Sequence, residues 1–287
     1  MKKERTDWLF SLGSPAFIWQ VLFFYLPIIL LFGTGFLLFD SDGVFHGLTF
    51  RNFTHFFSLT SFSILFKTLL IAIATALISA IIAYPLAYFI AFTAKRYRYV
   101  LLFFVIVPFW TNFLLHVYAW FFILEPGGVI NDALLWLGII NEPLHLFNSL
   151  FSIILMMVYM YLPFMVLPLY SSLERFQKEF IEASYDLGAG WLQTFSRVVF
   201  PITFPSLKAG FFLVLIPSFG EFIIPELMGG DKYYFVGNVI TQLMLGDETG
   251  QLGAAYALMS ILFLLVALFF LLRVFEFISK RIDRRSA

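Results

Sequence analysis

Glu182-Ala183-Ser184-Tyr185-Asp186-Leu187-Gly188-Ala189-Gly190-Trp191, closing at Phe200-Pro201, is a charged, glycine-punctuated stretch between two long apolar runs. Its residues predict a short helix over Gln177–Leu187 that ends where Gly188 can take a positive φ. A second short helix follows, with Trp191, Leu192, Phe195, Val198 and Val199 on one face and Pro201 as its stop. The pair reads as a compact helix–turn–helix with one apolar side. One reading is an amphipathic connector lying on a lipid surface. The other is a docking element for a protein. Glu174, Arg175, Lys178, Glu179, Glu182, Asp186 and Arg197 mix both signs, which favours the protein, because a binder of anionic lipid would be mostly Lys and Arg.

Outward from this stretch the chain is membrane material. Of its 287 residues 61% are apolar and 13% charged, and the mean hydropathy is +0.91. A soluble domain holds about 45–50% apolar and about 25% charged residues. Six runs reach the roughly 20 apolar residues that a helix needs to cross a bilayer: Ala16–Phe39, Ile64–Thr93, Val100–Leu124, Phe147–Tyr170, Leu207–Met228 and Ala254–Ile278. They lack the alternation of barrel strands, so the expected architecture is an all-α integral membrane protein, one six-helix domain over residues 1–287. The first run follows Lys2, Lys3 and Arg5 but is too long for a cleaved signal, and it reads as a retained span.

Lys and Arg set the orientation. Lys2, Lys3, Arg5, Lys95, Arg96, Arg98, Arg175, Lys178, Arg197, Lys208, Arg273, Lys280, Arg281, Arg284 and Arg285 all fall on one side. Arg51, Lys67 and Lys232 are the remaining three of the 18. Both termini are therefore expected in the cytoplasm. Asp40–Ser63, with its Asp42-Gly43 turn, Glu125–Leu146 with Pro126-Gly127-Gly128, and Gly229–Gly253 become outer loops. Ser171–Ser206 becomes a long cytoplasmic connection, of the kind that holds structure or function.

Several chemistries are excluded. Eighteen basic and eighteen acidic residues cancel, so no basic field points to nucleic acid. There are no cysteines, which removes disulfides and thiolate chemistry. The chain has no G-x-x-x-x-G-K-[ST] loop, no H-E-x-x-H and no G-x-S-x-G, and His46, His55, His116 and His145 are scattered, which leaves no metal site and no enzyme constellation.

The E-A-S-x-x-x-G-A segment ending in F-x-x-V-x-F-P resembles the E-A-A-x-x-x-G signature of ABC importer permeases. Ser184, Val198 and Phe200 stand where that family usually has Ala, Ile and Leu. The resemblance continues in Pro108-Phe109-Trp110-Thr111-Asn112-Phe113-Leu114 with Tyr118-Ala119-Trp120, in Tyr161-Leu162-Pro163-Phe164-Met165, and in Ile216-Pro217-Ser218-Phe219-Gly220-Glu221-Phe222-Ile223-Ile224-Pro225-Glu226. These residues are similar to the polyamine (spermidine/putrescine) importer permeases. His116 replaces a usual Arg, and Gln251-Leu252 a usual Trp-Pro.

The resemblance implies a MetI-like fold in the inner membrane and a second, homologous permease enclosing the pathway. It also implies two ATPase subunits below, which carry the ATP and Mg, and a periplasmic solute-binding protein above. No cofactor is expected in this chain. Glu182, Ala183, Asp186, Gly188 and Trp191 would then form the coupling contact. Other small solutes (a metal ion, sulfate or thiamine) stay as alternatives within the family, and a stand-alone channel or ion-coupled carrier outside it.

For the pathway, Glu221 is the most informative residue. On a continuous helix it lies about 21 Å beyond Leu207, inside the apolar layer, where a carboxylate costs on the order of 2.5–3.5 kcal/mol unless it faces protein or water. Glu226 follows near the outer interface. Pro225 and Pro217 each free a carbonyl four residues back, of Glu221 and Leu213, and Gly220 loosens the helix between them. A carboxylate beside free carbonyls suits an ammonium group; the competing reading pairs Glu221 with a partner subunit. Asn112, His116 and Trp120 share a face of the third span, and Trp110 lies deeper, with cation–π capture of an amine as one use. Ala72, Ala76 and Ala80 read as a close-packing face.

Overall fold

The computed structural model describes residues 14–39, 45–94, 96–246 and 250–286. The charges expected at Lys2, Lys3, Arg5 and Lys95 and the Asp42-Gly43 turn lie outside them, as do the side chains of Arg284 and Arg285. Among the described residues six helical stretches are long and apolar enough to cross a membrane: Ser14–Thr34, Leu59–Thr93, Phe113–Trp136, Leu150–Glu174, Trp191–Gly220 and Gly250–Ile282. In chain order the helices are α1 (Ser14–Thr34), α2 (Leu59–Thr93), α3 (Arg98–Trp110), α4 (Phe113–Leu124), α5 (Val129–Trp136), α6 (Leu150–Glu174), α7 (Glu179–Asp186), α8 (Trp191–Gly220), α9 (Ile223–Gly229), α10 (Val236–Leu245) and α11 (Gly250–Ser286). The chain groups into two compact units, Met1–Ser63 with Val239–Leu264, and Ile64–Asn238 with Leu265–Ala287.

The first unit adds something that hydropathy does not announce. After α1 the chain forms a small antiparallel hairpin, β1 (Leu37–Phe39) against β2 (Phe45–Leu48), with Leu37 opposite Leu48 and an irregularity after Leu38. Asn52 fastens it by donating to the carbonyls of Gly35 (2.9 Å) and Leu37 (3.0 Å). The apolar window of α1 itself buries none of its residues.

The second unit is organised around α6. Ser149 and Ser152 form a capping box at its start, which sets the helix N-terminus at Leu150 rather than Phe147. Its Ile153, Met156 and Met157 pack with Val117 and Leu124 of α4, Ile224 and Met228 of α9, and Phe235. Lipid is as apolar as Leu, so close packing and interhelical hydrogen bonds hold such helices together. Those bonds are present: Ser152 Oγ donates to the Met228 carbonyl (2.8 Å), Thr75 Oγ1 to Met157 Sδ (3.6 Å), and Tyr84 and Thr203 share a hydroxyl bond of 2.5 Å. The close-packing face of α2 is Ala72, Ala76, Ala83 and Ala87, with Thr75 and Ser79, all buried. Ala80 falls off this row and instead lines an apolar cleft with Tyr84, Trp191 and Phe195.

Three expectations need correction. The run Val100–Leu124 is two helices, because the chain turns extended at Thr111 and Asn112, and Asn112 Oδ1 accepts the Leu114 N–H (2.8 Å) to start α4. The run Leu207–Met228 breaks at Glu221, whose ψ is 133°. Pro201 does not stop a helix: α8 runs from Trp191 through it to Gly220. The segment Phe195–Val199 is a π turn in which the Phe200 N–H reaches back to the Phe195 carbonyl. The ladder is already shifted there, so the missing proline N–H is absorbed. The connection expected over Ser171–Ser206 therefore shrinks to the residues between α6 and α8, with α7 inside it.

Candidate functional site

Two helix breaks and one turn hold the candidate residues. At the first break, Thr111 Oγ1 donates to the Pro108 carbonyl (3.0 Å) and also meets His116 Nε2. On its other side the His116 ring bonds the Tyr159 hydroxyl of α6 through Nδ1, at 2.9 Å. Trp120, one turn beyond His116, packs edge-on to the same tyrosine, with ring centroids 5.7 Å apart. Asn112 caps α4 and is exposed at the break. Trp110 ends α3 with 74% of its surface exposed and belongs to neither tyrosine contact.

At the second break Glu221 holds the chain ends. Its Oε1 accepts the backbone N–H groups of Phe222 (3.1 Å), Ile223 (3.0 Å) and Ile224 (3.4 Å), which would otherwise be orphan donors at the start of α9. Tyr161 of α6 donates its hydroxyl to Oε2. A carboxylate offers about four acceptor positions, and Oε2, with one donor on it among the described residues, keeps an open one. The carbonyls of Gly220 and Glu221 are freed by the break, not by Pro225, which sits in the first turn of α9 where its N–H is dispensable. Both carbonyls lie against Gly237: a Cβ built there would stand 2.8 Å from each oxygen. Asn238 clips the far side, donating to the Phe222 carbonyl at 3.0 Å. Glu226 is exposed in the first turn of α9, where the helix dipole favours an acid.

Tyr159 and Tyr161 are two positions apart on α6, so they leave it on different sides. His116 with Trp120 forms one group and Glu221 the other. Composition could not single out these tyrosines, or Thr111 and Asn238. With 13 Tyr and 21% aromatic residues, nothing in the pattern marks two of them.

The third element is the turn after α7. Gly188 has φ +79°, the Ala189 N–H reaches the Ser184 carbonyl (3.1 Å) and the Gly188 N–H the Tyr185 carbonyl (2.9 Å), a complete Schellman closure. The buried Ser184 hydroxyl bonds Thr194 Oγ1 at 2.9 Å, tying α7 to the start of α8. This leaves Glu182, Ala183 and Asp186 exposed, beside Leu187 at 89% and Trp191 at 61%. Arg98 at the start of α3 meets Glu174 at the end of α6 (2.9 Å), just before this element.

Six membrane-length helices, helix breaks beside polar side chains and an exposed apolar turn between two long helices describe a polytopic membrane protein. The chain belongs to the family of binding-protein-dependent transport system inner membrane components, which it matches over residues 83–284. It is an inner-membrane permease subunit of an ABC importer, not an enzyme; ATP is hydrolysed by a separate subunit. It is 38% identical over 267 residues to the spermidine/putrescine transport system permease protein PotB of Escherichia coli K12, covering 92% of this chain and 97% of that one. The PotB of Haemophilus influenzae is 32% identical over 268 residues, covering 93% and 94% of the two chains. Among solved structures it resembles a chain of a bacterial ABC transporter involved in the import of the acidic polysaccharide alginate, with a TM-score of 0.65, 19% identity and 98% of both chains covered. That likeness establishes the MetI-like permease fold alone.

Proposed function

We propose that the chain is one permease half of a polyamine importer, and that Glu221 meets an ammonium group of the substrate in the pathway. The observation that carries this is the open acceptor position on Glu221 Oε2, held at a helix break in a spanning segment. The identities to spermidine/putrescine permeases support the substrate class. An amine with several positive charges suits a carboxylate, whereas sulfate does not. Asn112, His116 and Trp120 would line the other break, with Trp110 at the end of α3 beside it and Glu226 in the first turn of α9 beyond the Glu221 break. The whole chain would act as a single permease domain, paired with a second homologous permease. Two ATPase subunits would dock at Glu182, Ala183, Asp186, Gly188 and Trp191, and a periplasmic binding protein would deliver the amine from outside.

The test is Glu221→Gln, whose amide oxygen keeps the cap and whose N–H can reach the Tyr161 hydroxyl only with the bond reversed, and which removes the charge. Losing one charge contact at about 4 Å in a wet pathway forfeits roughly 1–4 kcal/mol. Radiolabelled spermidine uptake per assembled complex should fall about tenfold or more. Normal uptake per complex would discard the role. Orientation is checked separately by accessibility tags: positions 97 and 287 should report cytoplasm, and 45, 130 and 235 the outer side. An outer C-terminus would remove the six-span arrangement.

A further inference from the structure

We propose that Tyr161 is a positioning residue for the Glu221 carboxylate, and through it for the bound amine. The proposal rests on Glu221 serving the pathway as set out above. The two carboxylate oxygens are held differently: Oε1 is tied to the backbone of its own break, while among the described residues Tyr161 is the hydrogen-bond donor on Oε2. The direction in which the open acceptor position faces is therefore set by the phenol. That phenol is itself well anchored. Tyr161 packs against the α4–α6–α9 core, and its ring lies 6.3 Å from that of Phe164.

Its helix is also the one that reaches the docking element. α6 ends at Glu174, and four residues separate it from α7, which begins at Glu179. Pro163, two residues past Tyr161, cannot donate to the carbonyl of Tyr159, so α6 lacks a rung where the two tyrosines leave it. A displacement of α7 carried along α6 would move the phenol and turn the carboxylate with it. Tyr161 thus joins the amine site to the end of the subunit where ATP-driven movement enters.

The experiment uses the complete importer, with both permeases, the ATPases and the binding protein, reconstituted in proteoliposomes and assayed with radiolabelled spermidine. Tyr161→Phe keeps the ring and removes the donor. Uptake per assembled complex should fall at least fivefold, and the same change in the Glu221→Gln background should cost less than twofold, because residues acting as one unit are not additive. Tyr159→Phe, which acts at the other break, should instead lower uptake by the same factor in both backgrounds.

Glu221→Asp withdraws the charge from the phenol without removing it. It should lose uptake to the same extent as Tyr161→Phe, so the result does not hang on the yield of one variant. Equal losses from Tyr161→Phe in both backgrounds, a loss confined to complex yield, or full uptake in Glu221→Asp would each overturn the positioning role while leaving an impaired Glu221→Gln to support the pathway. Normal uptake in Glu221→Gln would remove both.

Discussion

Replacing Gly188 with valine should cut co-purification of the ATPase by roughly thirtyfold while leaving membrane insertion intact. Gly188 sits at φ +79°, and its N–H and that of Ala189 close the C-terminus of α7. An L residue in the left-handed region costs about 1–2 kcal/mol, and a β-branched one stands at or above the top of that range. A penalty of about 2 kcal/mol is close to thirtyfold in an equilibrium constant. The alternative open to the chain is to leave the turn, which releases the Ser184–Thr194 bond and displaces the exposed Leu187 and Trp191 of the proposed docking face. Glu182→Lys attacks the same contact by charge alone, since its side chain is exposed and folding does not depend on it. Retained ATPase together with normal uptake in Gly188→Val would remove this turn from the docking surface.

Gly237→Ala is the other change with a large expected effect. The added methyl would stand 2.8 Å from the carbonyl oxygens of Gly220 and Glu221 and 2.8 Å from Phe222 Cβ. None of these is the far end of a flexible side chain, so the break itself must shift. Overpacking of this kind costs about 1–3 kcal/mol. The purified complex should melt about 5 °C lower, and spermidine uptake should drop at least tenfold on the scale that converts energy to rate. Gly33→Ala, where nothing lies within 4 Å of the new methyl, should change the melting temperature by no more than about 1 °C. A Gly237→Ala complex with the wild-type melting temperature and uptake would mean that the α10 backbone does not hold the break.

Apolar run length gave six membrane-length helices, because no soluble solution exists for stretches such as Ile64–Thr93, but it set the third and fifth at Val100–Leu124 and Leu207–Met228 where the structure has Phe113–Trp136 and Trp191–Gly220. It could not see the breaks. Thr111-Asn112 and Glu221 are too few polar residues to lower the hydropathy of a 20-residue window, and the bonds that hold them open come from Tyr159, Tyr161 and Asn238, far away in sequence. Asn112 after Pro108 was a readable cap signal, masked by the apolar residues around it. The end of α7 was legible because it is local: a glycine after a helical pattern specifies its own geometry. Pro201 misled for the opposite reason, since the π turn that accommodates it is a property of the backbone ladder and leaves no composition mark. Glu221 stood out as an acid in an apolar run, but its depth was reckoned along a continuous helix that ends one residue earlier.

The continuity of α8 has a mechanical side. From Trp191, beside the docking turn, to Gly220, beside the carboxylate, it is one rod of 30 residues, or roughly 45 Å at 1.5 Å per residue. Geometry then supplies gain: tilting such a rod by about 5° about one end sweeps the other through roughly 4 Å. A displacement of that size exceeds a hydrogen-bond length, so a small rotation at the end proposed to meet the ATPase is enough to make or break the bond between Glu221 and Tyr161, while the bonds of Oε1 to its own chain travel with it. The lever is only as stiff as its weakest turn. Its weak turns are the π segment at Phe195–Val199, near the proposed docking turn, and the rungs missing at Pro205 and Pro217.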